Sequence, residues 1–368
     1  MSFENRSFGG NRSSESGTLL ERGGRDYFNI SGHSRKRRWI PLSLLILLLV
    51  VFLGAYSYYR SQVDGGSSNQ KVTLTVSSGE GLSQFANLLA LKKVIGSSLI
   101  FKIWLQTQPA VLLRTGSYVF VKDESFHKVI TTLTKGPLLD KLTVPDGLTL
   151  AQIAVKVGKI PGHSAADFLK VAESGQVRSP FEPKGVNSLE GLLYPDTYSF
   201  DPSTSNRAIL QLMVNSFDSH AKAIGLTPKT VSNGLTGYQI VTMASIIEKE
   251  ALYPGDGNKV ARVILNRLSS HMKLQLDSTV FYALGNNVSH LSLADLQINS
   301  PYNTYLHHGL PPTPISIPSQ AALEDALHPA TGNWLYYVVV QPDGKEAFSS
   351  TYAGQLANEK LAQSRGLG

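Results

Sequence analysis

The sequence predicts an α+β chain in three parts: a single transmembrane helix, small α+β modules behind it, and a mixed helix/strand domain to the end. Three observations predict this. A basic block at 35–38 abuts about 20 mostly apolar residues, the length of a bilayer core. A strand–turn–helix pattern occurs twice, at 74–86 and at 142–154. From Ser164 the pattern is mostly helical, with a strong strand at 334–340 near the end. At 368 residues the chain can bury more than one core. It has no cysteine, which excludes disulfides and thiolate metal sites. Of the net charge of +7, residues 1–60 hold nine Lys/Arg and four Asp/Glu, which leaves only +2 for everything after Arg60. A body so nearly neutral lacks the basic face that nucleic acid requires.

Residues 1–38 are rich in Gly, Ser, Asn and Arg without a sustained period, and are predicted to be a disordered cytoplasmic tail. Residues 39–59 form the predicted transmembrane helix, broken only by Pro41, Ser43, Gly54 and Ser57, with Trp39, Tyr56, Tyr58 and Tyr59 at the interfacial positions. The basic block holds the N-terminus in the cytoplasm. A single-pass protein of the cytoplasmic (inner) membrane follows, with its body periplasmic or otherwise extracytoplasmic. A cleaved signal peptide is the alternative. The long polar tail, the length of the apolar run and the lack of an Ala-x-Ala site weigh against it. Residues 60–70, with GGSSN at 65–69, read as a flexible linker.

The region 71–160 contains the repeat. LTVSSGEGLSQFA at 74–86 matches LTVPDGLTLAQIA at 142–154, each a short strand, a glycine turn and an amphipathic helix. Between them residues 116–121 alternate as a strand, and 125–133 read as a helix stopped by Gly136 and Pro137. Two copies are too few for a solenoid. Modules of this kind resemble LysM-type domains, which implies binding of N-acetylglucosamine chains; scaffolding without a ligand is the alternative.

Residues 161–368 are predicted to be a mixed helix/strand domain. Helices are expected at 165–173 and 206–224, joined by a loop at 189–200 dense in aromatics and carboxylates. Such residues suit a sugar cleft, where rings stack on pyranose faces; a buried aromatic plug is the alternative. The central stretch, TGYQIVTMASIIEKEAL at 236–252, opens with a capping box of Thr236 and Gln239 and is stopped by Pro254 and Gly255. At roughly 100° per residue, Ile240, Ala244, Ile247 and Ala251 form one apolar stripe, and Thr242, Ser245 and Lys249 a polar one. Glu248 and Glu250 fall on opposite flanks. A half-buried carboxylate finds a partner or has its pKa raised until it holds its proton, as a general acid requires. A solvated turn with a salt bridge is the plainer reading. A helix at 258–269 follows, and then a strand at 334–340 turned back by Pro342, Asp343 and Gly344.

Six motifs now stand in order: EGLLYPDTY at 190–198, ASIIEKE at 244–250, NRL at 266–268, QLDSTVFY at 275–282, SPYNTY at 300–305 and GLPPTPI at 309–315. Together they resemble the endolytic murein transglycosylase family (MltG, YceG-like), over residues 72–351. The resemblance implies a membrane-anchored lyase that cuts inside nascent peptidoglycan glycan strands, beside peptidoglycan synthases. By the family's motif the catalytic carboxylate falls on Glu248, acting as acid on the oxygen leaving muramic acid C1. It then acts as base on that sugar's C6 hydroxyl, which closes to a 1,6-anhydro end. Glu190, Gln275, Asp277 and Asn303 are expected to orient acetamido and hydroxyl groups. Tyr194, Tyr282, Tyr302 and Tyr305 are expected to stack on sugar rings, and Asp196 and Thr279 complete the substrate-binding set. For each of these, core packing or a structural hydrogen bond is the alternative. The chain departs from the family near its end, with Glu346 where a histidine is usual and Gly354-Gln355 where Glu-His is usual.

Two other functions fit the residues. One is a hydrolysing muramidase, with Asp277 or Glu190 as second carboxylate. The other is a non-catalytic, membrane-tethered peptidoglycan-binding scaffold. No metal or cofactor is expected: His307 and His308 are adjacent, so as strand neighbours they would face opposite ways, and no HExxH pattern occurs.

Overall fold

The computed structural model describes residues 39–66 and 68–367, so the tail predicted at 1–38 lies outside the described residues. The chain divides into two compact units, Met1–Arg60 and Ser61–Gly368. Helix α1 (Trp39–Asp64), most of which belongs to the first unit, is apolar and its side chains from Leu42 to Leu53 are exposed. The stretch Leu42–Asp64 is long and apolar enough to cross a membrane, and leaving such side chains uncovered is what a lipid surround permits. The helix runs five residues past the predicted end at 59, through the first part of the expected linker.

The second unit opens on β1 (Lys71–Val76), α2 (Leu82–Leu91), α3 (Ser98–Leu105) and β2 (Gly116–Val121). β1 and β2 pair antiparallel with Leu74 opposite Tyr118, and close over Phe85, Leu89, Phe101 and Trp104. Helix α4 (Phe126–Lys135) adds Phe126, whose ring meets that of Phe101 edge-on at 5.0 Å. The second copy repeats the order: β3 (Asp140–Val144), α5 (Leu150–Val157), α6 (Ala165–Glu173) and β4 (Asp196–Phe200), with Leu142 opposite Tyr198. Its return strand therefore lies well past residue 160, and the stretch at 189–200 is part strand where a loop was expected. Its core continues into α7 (Asn206–Ala223) through Ile209, Leu210, Met213 and Val214. The repeat is thus strand–helix–helix–strand in both copies, longer than the 13-residue match in sequence.

After the short hairpin of β5 (Val231–Ser232) and β6 (Leu235–Thr236) comes α8 (Gly237–Glu250), capped by Thr236 as predicted. Around it pack α9 (Gly257–Ser269), α10 (Asp277–Ala283) and α11 (Gln320–Leu327). The hairpin of β7 (Tyr336–Val339) and β8 (Glu346–Ser349) and the final helix α12 (Tyr352–Ser364) complete the unit. Ile240, Ala244 and Ile247 are buried as the stripe predicts. Two members of the polar strip, Thr242 and Ser245, are buried too. Thr242 donates to the Tyr238 carbonyl. Ser245 donates to the Thr242 carbonyl and accepts the Ile315 N–H at 3.0 Å. That bond seats the proline-rich strap at 309–315 against α8. Gly191 meets the same strap: its φ is +73°, and a Cβ there would lie 2.2 Å from Pro314. Only glycine lets the two loops approach so closely.

Candidate active site

The last turn of α8 presents its two carboxyls to different surroundings. Glu248 is half-buried and accepts the Ser319 N–H at 2.9 Å, at the N-cap of α11. Burial pushes its carboxyl up, opposed by the Ser319 bonds, with Asp146 raising it further and Lys249 lowering it. It lines a hollow of about 280 Å³ with Tyr253, Pro254 and Ser319, into which none of the other predicted site residues points. Among the described residues no arginine is paired with it.

Glu250 faces a cleft of about 730 Å³, shared with Asp277, Ser278, Phe281, Tyr337 and Glu346. Its carboxylate accepts the Tyr337 hydroxyl at 2.8 Å and the Ser278 N–H at 3.3 Å. Burial pushes its carboxyl up, the bonds from Ser278 and Tyr337 oppose this, and the charge on Asp277 adds to the rise. Arg267 lies near but does not pair with it, because its guanidinium donates to the carbonyls of Leu335 and Leu274. With Asn266, which donates to the Trp334 carbonyl at 2.9 Å, it straps α9 to the strand that carries Tyr337. The motif at 266–268 therefore positions the cleft wall, with the Arg267 guanidinium hydrogen-bonded to backbone carbonyls instead of to Glu250.

Asp277 is exposed at the mouth of this cleft and accepts the Tyr305 hydroxyl at 2.6 Å. Gln275 is also exposed, held at a φ of +52° with its N–H on the Thr304 carbonyl. A second hollow of about 390 Å³ shares Asn286 with the first and is lined by Glu190, Tyr282 and Tyr302. The Tyr282 hydroxyl donates to Glu190 at 3.1 Å, and its ring lies 4.8 Å from that of Tyr302. Glu190 also accepts the Leu150 N–H at 2.9 Å, so the second repeat touches this hollow directly. Burial pushes the Glu190 carboxyl up to about 7, with the Leu150, Tyr282 and Gly191 bonds opposing.

Four predicted residues stand apart. Asn303 is fully buried, donating to the carbonyls of Leu296 and Ile298 and accepting the Tyr305 N–H, so its amide braces the 300–305 loop. Thr279 is fully buried, with its hydroxyl on the Leu276 carbonyl and the Thr304 hydroxyl. Tyr194 stacks on His220 at 3.7 Å, and Asp196 caps its own strand end at the Thr197 N–H. Two cleft residues had no prior claim on substrate: Tyr337, concealed in a strand that reads as plain β-former, and Ser278. Glu346 stood out in sequence only as a departure. Among the described residues no group of three or more His, Asp or Glu side chains is arranged to hold a metal ion.

Comparison with known proteins gives four matches to this chain. Residues 74–361 match the YceG-like family. The endolytic murein transglycosylase of Bacillus subtilis (strain 168) is 31% identical over 331 residues, 85% of this chain and 91% of that protein. That of Streptococcus pneumoniae serotype 2 (strain D39) is 30% identical over 345 residues, 84% of this chain but 62% of the longer pneumococcal protein. Among solved structures, a crystal structure of a yceG-like protein from Listeria monocytogenes superposes with a TM-score of 0.54 at 32% identity, covering 79% of this chain and 99% of that one.

Proposed function

This chain belongs to the YceG-like family, and from that premise we propose that it is a peptidoglycan lytic transglycosylase, a lyase acting within nascent glycan strands. In this reading one carboxyl protonates the oxygen leaving muramic acid C1. It then takes the proton of the C6 hydroxyl as that oxygen closes on C1, giving a 1,6-anhydro end. The observation that carries the reading is a carboxyl whose hold on its proton is raised by burial, with no ion-pair partner among the described residues, facing a cleft of about 730 Å³. The geometry favours Glu250 for that role over Glu248, the residue the motif suggested. Glu250 shares its cleft with Asp277, whereas Glu248 is tied to a helix cap beside a small hollow. The hollow of Glu190, Tyr282 and Tyr302, which shares Asn286 with that cleft, suits neighbouring sugars of the same strand.

The two strand–helix–helix–strand modules support a LysM-like contact with glycan, and α1 supports a single-pass anchor with the N-terminus in the cytoplasm. A position beside peptidoglycan synthases follows from the nascent substrate. The hydrolase reading keeps one observation in its favour, the presence of Asp277 in the cleft of Glu250. Digestion of purified murein followed by mass spectrometry separates the two, because hydrolysis adds one water to the product. Glu250→Gln is expected to lower the rate roughly a hundred- to ten-thousand-fold, the range for losing a general acid. Glu248→Gln is expected to stay within about tenfold of wild type. The reverse order would return the role to Glu248, and full digestion by both variants would remove it from α8.

A further inference from the structure

Glu346 is the least explained polar side chain of the domain. It is 6% exposed, it lines the cleft of Glu250, and neither carboxyl oxygen has a hydrogen-bond partner among the described residues. Its backbone is separately secured, since its N–H donates to Asp256 at 3.1 Å. The titratable and charged groups around it come from every wall. Glu250 stands on α8 with Lys249 at the rim, Asp256 before α9, Lys259 on α9, Asp277 on α10 and Tyr337 on β7. Lys259 does not serve as its partner, because its ammonium sits on the other Asp256 oxygen at 2.9 Å. Burial, then the charges on Asp256 and Glu250, push the Glu346 carboxyl up to about 8. Near neutral pH it is therefore an acid with an O–H to give and no acceptor, an arrangement that costs free energy until a ligand completes it.

We propose that Glu346 contacts the substrate, its carboxyl donating a hydrogen bond to the acetamido carbonyl of an N-acetylated sugar in the cleft. An amide carbonyl is the strongest uncharged acceptor such a sugar offers. A neutral donor can approach it without adding a charge beside Glu250 and Asp277. The proposal rests on the transglycosylase reading and deepens it. The same reasoning gives it a pH signature, because ionisation of Glu346 removes the donor and sets a second negative charge at the sugar.

The test is the kinetics of the full chain in detergent on N-acetylated and on de-N-acetylated murein strands, between about pH 6 and 9. Wild type, Glu346→Gln and Glu346→Leu are compared, each with a thermal melt. Glu346→Leu is expected to raise KM roughly tenfold with kcat changed less than about threefold, and Glu346→Gln, which keeps a donor, to restore KM. Wild-type KM is expected to climb above about pH 8, while that of Glu346→Gln stays flat. Wild type is expected to favour acetylated strands, and Glu346→Leu to lose that preference. An unchanged KM in a folded Glu346→Leu would overturn the proposal. So would the same alkaline climb in Glu346→Gln, which decides the matter if the leucine variant does not fold, or equal use of both strands by wild type. Absence of murein digestion by wild type would instead fell the underlying reading.

Discussion

Glu248 and Glu250 differ by roughly 200° around one helix, and that rotation decides which of them meets a cleft. Their local sequence is symmetrical, a carboxyl on either side of Lys249, so nothing in the motif distinguishes them. The distinction comes from Tyr337 and Ser278 on one side and Ser319 on the other, residues 28 to 87 positions away. Glu346 and Glu190 make a further prediction at this scale. Each has a folded pKa above its unfolded value, so each favours the fold fully only below the unfolded carboxyl range. That contribution is lost as pH rises towards the folded values of about 8 and about 7. Glu346→Gln is therefore expected to match wild type in thermal melts near pH 4 and to become the more stable form by several degrees as pH approaches 8. The difference should then level off at higher pH. A difference already complete at pH 4 would mean that packing, not ionisation, sets it.

At the scale of elements, local signals read well where the chain supplies its own stop and start. The Thr236 cap, the α6 boundaries and the β7–β8 turn all follow from neighbouring residues. Thr236→Ala is expected to destabilise the domain by about 1 kcal/mol, measurable by urea unfolding, because Gln239 loses its reciprocal bond. The burial of Thr242 and Ser245 could not be read in this way. A hydroxyl can satisfy itself within its own helix, so a polar stripe on the wheel is compatible with a core position. Gly191 belongs to the same class of long-range fact. Gly191→Ala is expected to cost more than the cap, on the order of 2–3 kcal/mol, since positive φ and the Pro314 contact both oppose a Cβ. A melt unchanged from wild type would show that the strap can yield.

For the molecule as a whole, the apolar helix makes the simplest prediction. Deleting residues 39–59 is expected to move the protein from the membrane pellet to the soluble fraction, and retention in the pellet would point to another anchor. By itself the sequence determined the α+β character, the apolar helix and the start of each repeat. These follow from hydropathy, periodicity and turn chemistry, which act between near neighbours. Only the tertiary structure decided that β4 closes the second repeat, that Asn303 and Thr279 are braces, and that Glu250, Asp277, Tyr337 and Glu346 share one cleft. Those arrangements depend on which distant side chain satisfies which buried polar group, and hydrogen bonds of that kind leave no period in the chain that makes them.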